Sequence, residues 1–199
     1  MSYREGKSHS LSHPEPLEAG MITGKKIRLR KKRLADATDD YTWQTDPELV
    51  CLDASPLLTI TFHQYLSAYA SEMHYSSSTR HAFAIETPGG KHIGNCLYYN
   101  INKTKGEAEL GIMIGDQDYW DKGYGTDTVI TLLNYIFQET DLKRIYLKTL
   151  NLNHRAQRCF EKCGFTSYGY INRDGYNFSL MEIHRKQWEK QQSKKDNAD

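Results

Sequence analysis

Tyr119-Trp120-Asp121-Lys122-Gly123-Tyr124-Gly125-Thr126 lies between an apolar stretch, Ile112 to Ile114, and a periodic helical segment that begins near Thr126. Two glycines at a strand-to-helix junction permit torsions and close approaches that side chains forbid. The first N–H groups of a helix lack intrahelical partners, and the helix dipole favours an anion beside them. That combination is the physical recipe for a phosphate cradle, with Lys122 as a supporting cation.

Downstream of this stretch, Val129, Leu132, Leu133, Ile136 and Phe137 form one apolar helical stripe. Arg144 to Leu150 alternates as a strand, and a second amphipathic helix carries Ala156, Cys159, Phe160 and Cys163 on one face. Gly164 closes that helix as a C-cap, and residues 168–183 read as a hairpin turning at Asp174-Gly175. Upstream, Glu107 to Ile114 is the strand feeding the glycine loop. His81 to Glu86 and His92 to Asn100 form a hairpin around Pro88-Gly89-Gly90. Helices are expected around Asp36 to Thr45 and Ile60 to Glu72, after an opening strand at Ile27 to Arg30. The order predicts an α/β (α+β) fold: a mixed, mostly antiparallel central sheet with helices on both faces.

The chain of 199 residues fits one domain, residues 23–188, between a flexible N-terminal arm (1–22) and a flexible C-terminal tail (189–199). A net charge of +1 offers no global attraction to nucleic acid. The one basic cluster, Lys25 to Arg33, reads as an edge strand with a solvated face. No run of about 18 apolar residues exists, so no membrane span is expected. The N-terminus lacks an apolar signal core, and cytoplasmic residence is the default expectation. Cys51, Cys96, Cys159 and Cys163 are too scattered for a disulfide scaffold. Cys159, Cys163 and His154 match no common zinc spacing, so no metal site is expected.

Glu109 to Gly115, Tyr119 to Thr126, Asn153-His154-Arg155-Ala156 and Phe160 to Phe165, in this order and spacing, together resemble the GNAT N-acetyltransferases. Within that family the chain looks most like the branch containing the ribosomal-protein N-terminal acetyltransferases. The resemblance spans roughly residues 25 to 187 and implies the acyl-CoA N-acyltransferase fold with acetyl-CoA as cosubstrate. In the family the fourth strand splays from the fifth, and backbone groups in the opening bond the pantetheine arm. Here that strand is Glu109 to Gly115, with Met113, Ile114 and Gly115 as the implied contacts. The loop amides of Asp121, Lys122, Gly123, Tyr124, Gly125 and Thr126 are implied to bind the pyrophosphate. Asn153 matches the asparagine whose side chain meets the pantetheine or its bound water. Trp120 stands where the family most often has Gln or Arg, a replacement familiar in the branch named above. Subunit pairing is common in the family, so a homodimer is one implied assembly.

Acyl transfer makes chemical sense of these residues. Negative charge builds on the thioester oxygen as an amine attacks, and strand N–H groups are suited to hold it. A primary alkylamine has a pKa of about 10.4 and must lose a proton first, whereas a protein N-terminal amine, at about 7.7–8.0, needs far less help. Glu109 is the leading base, acting through a water. Its bland alternative is an ordinary ion pair or a group that orients substrate. Glu107 is a weaker candidate. The tyrosine that the family often uses to protonate the leaving thiolate is replaced by Phe160. Tyr168, Tyr170 or Tyr176 would have to substitute, or the thiolate leaves unaided, a thiol pKa being only about 8.5. Asp46, Glu48 and Asp53 are partners for a cationic acceptor, or helix caps.

Two other classes compete. A dinucleotide-binding fingerprint wants a small third residue and an acid about 20 positions on, but Thr128 and the Lys143-Arg144-Ile145 stretch stand there. A P-loop lacks its Gly-Lys-Ser/Thr. The second is a non-catalytic acyl-CoA-binding or sensor module, distinguished from an enzyme by binding without turnover.

Overall fold

The computed structural model describes residues 20–73 and 77–196, so most of the expected N-terminal arm lies outside the described residues. Eight strands form one sheet: β1 (Ile22–Thr23), β2 (Arg28–Lys31), β3 (Arg80–Glu86), β4 (His92–Asn102), β5 (Glu107–Ile114), β6 (Arg144–Leu150), β7 (Thr166–Arg173) and β8 (Tyr176–His184). Their order is β1-β2-β3-β4-β5-β6-β8-β7. Every neighbouring pair is antiparallel except β5 and β6, which run parallel. Six helices accompany it: α1 (Ala37–Gln44), α2 (Pro47–Leu52), α3 (Phe62–Met73), α4 (Tyr124–Glu139), α5 (His154–Lys162) and α6 (Arg185–Asp196). None among the described residues is long and apolar enough to cross a membrane.

Alternation along the strands assigns the two faces. Leu29, Ile85, Ala108, Leu110 and Ile145 join Val129, Leu132, Leu133 and Ile136 of α4 in the apolar core. Arg30, next to Leu29, turns to the α1 side instead. It donates to Asp36 through two nitrogens, at 2.9 and 2.8 Å, and to Glu86 at 2.5 Å, and all three are buried. Lys32 extends this network to Asp40 at 2.7 Å. The basic cluster is therefore not a solvated edge strand. The two residues of β1 take the edge, and the arginine neutralises buried carboxylates that would otherwise carry a heavy desolvation cost.

Two turn expectations hold. Asp174 and Gly175 both have positive φ, 52° and 81°, as a tight hairpin requires. Gly164, at φ 94°, ends α5, with Phe165 N–H returning to the Phe160 carbonyl at 3.0 Å. The stretch from 189 on departs from expectation: α6 runs to Asp196. Trp188 is 4% exposed and packs at a tilt against Phe137, while the Arg185 guanidinium donates to the carbonyls of Phe137, Thr140 and Leu142 at and just beyond the end of α4. A cation on the orphan carbonyls of one helix and a buried indole anchor an otherwise polar segment.

Candidate active site

The glycine loop follows β5 through a short 3-10 turn at Gln117–Tyr119, and Gly123 caps α4 at φ 82°. Asp121 also sits at positive φ, 55°. The first intrahelical bond is Asp127 N–H to the Gly123 carbonyl at 3.0 Å, so residues 124–126 form the first turn. Amides in a first turn have no intrahelical acceptor and carry the positive end of the helix dipole. The Asp127 carboxylate points the other way and accepts the backbone N–H groups of Lys25, Lys26 and Ile27 at 3.1, 2.6 and 3.2 Å. It thereby ties the start of α4 to the sheet.

A groove of about 210 Å³ opens in front of this turn. Met113, Ile114, Asp121, Gly123, Gly125, Thr126 and Asn153 all line it. Three other expected contacts do not. Gly115 is packed against Trp43, where any Cβ would sit 2.1 Å from the indole, so its glycine serves the α1 interface. The Lys122 ammonium donates to the Asp118 carbonyl at 2.7 Å. The Tyr124 ring packs edge-on to Tyr119 at 4.9 Å. The positive charge in the groove comes instead from α5, whose Arg155, Arg158 and Lys162 line it. The Arg155 guanidinium lies 3.2 Å from the Trp120 ring centroid, and the Trp120 N–H donates to the Ile114 carbonyl at 2.7 Å. Cys159, beside Thr126 Oγ1 at 3.5 Å, has its thiol pKa drawn down to about 7 by hydrogen bonding from Cys163 and Thr126 and by nearby Lys162, against the effect of burial.

The parallel pairing of β5 with β6 covers only Glu107↔Arg144, Ala108↔Ile145 and Glu109↔Tyr146. Beyond it the strands part, as the splay expected of this strand pair requires. A second chamber of about 380 Å³ lies at this gap. It shares a wall with the groove, made of Leu52, Asp53, Ile112, Asn153, Ala156 and Phe160. Asn153 caps α5 by accepting the Ala156 N–H at 3.1 Å, which leaves its amide NH₂ free to donate.

Glu109 lines the chamber and is partnered on both oxygens. It is 3% exposed, accepts from Asn100 at 3.0 Å and pairs with Lys148 at 3.0 Å. Tyr99, its cross-strand partner, stays protonated: burial, and then the Glu109 charge and hydrogen bond, push its pKa up. Glu107 is held by Arg144 at 2.7 Å and touches neither cavity. Of the tyrosines proposed to replace the missing acid, Tyr176 lines the chamber, Tyr168 stacks on Arg144 and Tyr170 is 73% exposed. Phe160 is buried, with no donor to offer.

A model of the acetyltransferase (GNAT) domain matches residues 26–166. The chain belongs to the GNAT acetyltransferases. An uncharacterized N-acetyltransferase, p20 of Bacillus licheniformis, is 23% identical over 167 residues, covering 79% of this chain and 93% of the relative. Among solved structures, the spermidine N-acetyltransferase of Vibrio cholerae in complex with CoA and spermine superposes with a TM-score of 0.72. It is 21% identical over 82% of this chain and 98% of that one. An aminoglycoside acetyltransferase in complex with coenzyme A gives 0.69 at 20% identity, again covering 82% and 98%.

As a GNAT protein the chain is an acyltransferase with acetyl-CoA as cosubstrate. The residues present fit that molecule: a first helical turn for its diphosphate, a glycine where a Cβ would stand on the groove floor, and three α5 cations alongside. Among the described residues no cluster of His, Cys, Asp or Glu is placed to hold a metal. Sequence reasoning missed Tyr99, Lys148 and the α5 cations. Tyr99 stands opposite Glu109 only because the register shifts at a bulge between Tyr99 and Asn102, a feature that residue spacing does not announce.

Proposed function

We propose that this protein moves the acetyl group of acetyl-CoA directly onto a primary amine of a small, cationic acceptor, in a ternary complex with no covalent enzyme intermediate. The observation that carries this reading is the shared wall: a groove ending at a helix N-terminus meets a polar chamber where β5 parts from β6. In this reading the amides of residues 123–126, with Arg155 and Arg158, hold the diphosphate. Met113 and Ile114 flank the pantetheine arm, and the free Asn153 amide donates to it. N–H groups on the unpaired edge of β5 stand where charge develops on the thioester oxygen. Glu109 is read as the group that fixes Lys148 and Tyr99 at the chamber floor. Serving as base through a water would compete with the ion pair it makes with Lys148. Phe160 donates nothing, and a thiolate is a good enough leaving group to go without an acid.

A second reading, a peptide N-terminus as acceptor, goes with the likeness to the ribosomal-protein branch. It is supported by exposed aromatics on the β7–β8 hairpin, Tyr170 and Tyr176, of which Tyr176 reaches the chamber. Thiol release from acetyl-CoA with spermine, kanamycin and a hexapeptide bearing a free N-terminus separates the two. Release with spermine or kanamycin supports the first, and release with the peptide alone supports the second. CoA binding with no release against any of the three would replace both with a sensor.

A further inference from the structure

The reacting nitrogen and the thioester must meet at the wall common to both cavities. Of the six residues in that wall, Asp53 alone carries a charge. The chamber's other carboxylates are already neutralised, Glu109 by Lys148 at 3.0 Å and Asp174 by Arg173 at 3.2 Å. Asp53 has no cationic partner among the described residues; its Oδ2 accepts from Ser55 Oγ at 2.6 Å. Of the remaining titratable neighbours, Tyr99 holds its proton, and Arg155 and Arg158 face the cofactor groove.

The backbone fixes Asp53 in this position. Its N–H donates to the Leu49 carbonyl at 3.0 Å at the end of α2, and Ser55 N–H returns to Val50 at 3.0 Å. Ala54, between them, takes a left-handed φ of 50°. A non-glycine residue held there costs of order 1–3 kcal/mol and persists only where the surroundings impose it.

We propose that Asp53 is the carboxylate that receives the acceptor's ammonium group and takes the proton released as the amide bond forms. The inference rests on the amine-acetylating reading above. The acceptor enters as an ammonium ion beside Asp53 and loses one proton to water. Its lone pair then forms the C–N bond to the acetyl carbon, which leaves the nitrogen positive with two protons, one of which it must lose to become the amide. Asp53 accepts that proton. The carbonyl re-forms, the C–S bond breaks with its electron pair on sulfur, and the thiolate is protonated by the carboxyl or by water. Solvent reaches Asp53, yet the cleft walls surround it, and this desolvation pushes its pKa up despite the Ser55 hydrogen bond. A base moved toward the working pH is a better one.

Asp53→Asn preserves the shape and the Ser55 bond while removing the charge. With spermine, kanamycin or the free-amine peptide, whichever the wild-type protein acetylates, kcat/KM for the amine falls at least tenfold and CoA affinity stays within twofold. The acid limb of the wild-type pH profile disappears, and Asp53→Glu restores part of the rate. A fall below tenfold, or a fall matched by lost CoA affinity, overturns the assignment. Wild-type protein without turnover on any of the three amines sinks the amine-acetylating reading along with it, whereas turnover retained by Asp53→Asn sinks this inference alone.

Discussion

Gly123 and Gly125 do different jobs, and replacing each by alanine separates them. Gly125 is in the first turn of α4 without a positive φ, and a Cβ built there meets only Cys159 Sγ at 3.5 Å and Ile114 at 3.9 Å, ordinary contacts. Alanine therefore fits the protein and reduces the freedom of the unfolded chain, stabilising it by about 0.4–1 kcal/mol. For a chain of this size that raises Tm by about 1–4 °C. The same methyl stands on the groove floor and lifts the diphosphate off the helix amides. Losing one charge-assisted hydrogen bond of about 1.5–3 kcal/mol weakens CoA by about 10- to 150-fold. Gly123 sits at φ 82°, where alanine costs about 1–2 kcal/mol, so its variant also binds CoA poorly but melts about 2–8 °C lower. Thermal melts of the ligand-free proteins and calorimetric titration with CoA read both quantities. Gly125→Ala that binds CoA within twofold of wild type refutes the cradle, whatever its Tm.

Arg155→Ala should weaken CoA about tenfold and flatten the salt dependence of binding, because a phosphate-facing cation is lost; unchanged affinity at low salt would show that the guanidinium only packs on Trp120. Cys159 should react with iodoacetamide with a midpoint near pH 7 and be protected by CoA, while exposed Cys51 is not protected; peptide mass spectrometry checks both. Asp36 titrates below the usual carboxylate range, since hydrogen bonds from Arg30 and the Arg33 N–H outweigh the upward push of burial. Its contribution is therefore present above about pH 4 and is lost as pH falls through the lower folded value. Asp36→Asn should cost about 3–5 kcal/mol at pH 7 and less as the pH drops below 4, measured by urea unfolding. A constant difference across that range would contradict the sign.

The elements that were legible in the sequence are those whose cause is local. The α4 stripe, the β6 alternation, the Asp174-Gly175 turn and the Gly164 cap each follow from spacing or torsion within a few residues. The misreadings share the opposite property. Nothing near Lys25–Arg33 announces that Arg30 will be buried, because its partners, Asp36 and Glu86, arrive from separate elements. The polar stretch from 189 on reads as a flexible tail, yet it continues a helix whose anchor is Trp188. Its partner, Phe137, is about 50 positions away and only the fold joins them.

The site divides along the same line, and this bears on which residues deserve mutation first. Backbone requirements are visible in sequence where glycine meets them best, as at Gly123 with its φ of 82°, and Gly125 keeps a side chain off the groove beside it. Side-chain charge is not, because any surface carries lysines and arginines. Lys122, adjacent to the glycines, spends its ammonium on the Asp118 carbonyl, while Arg155, more than 30 positions on, stacks over Trp120 inside the groove. The same logic separates the carboxylates. Glu109 looks catalytic from its place on the central strand, yet Lys148 and Asn100 already hold its two oxygens. Asp53, which the sequence offers either as a partner for a cationic acceptor or as a helix cap, is the carboxylate left without a cation, among the described residues, where the two cavities meet. An incoming ammonium ion pairs most favourably with the charge that has no partner, so the acceptor's approach is set by Asp53 rather than by the more deeply buried glutamate.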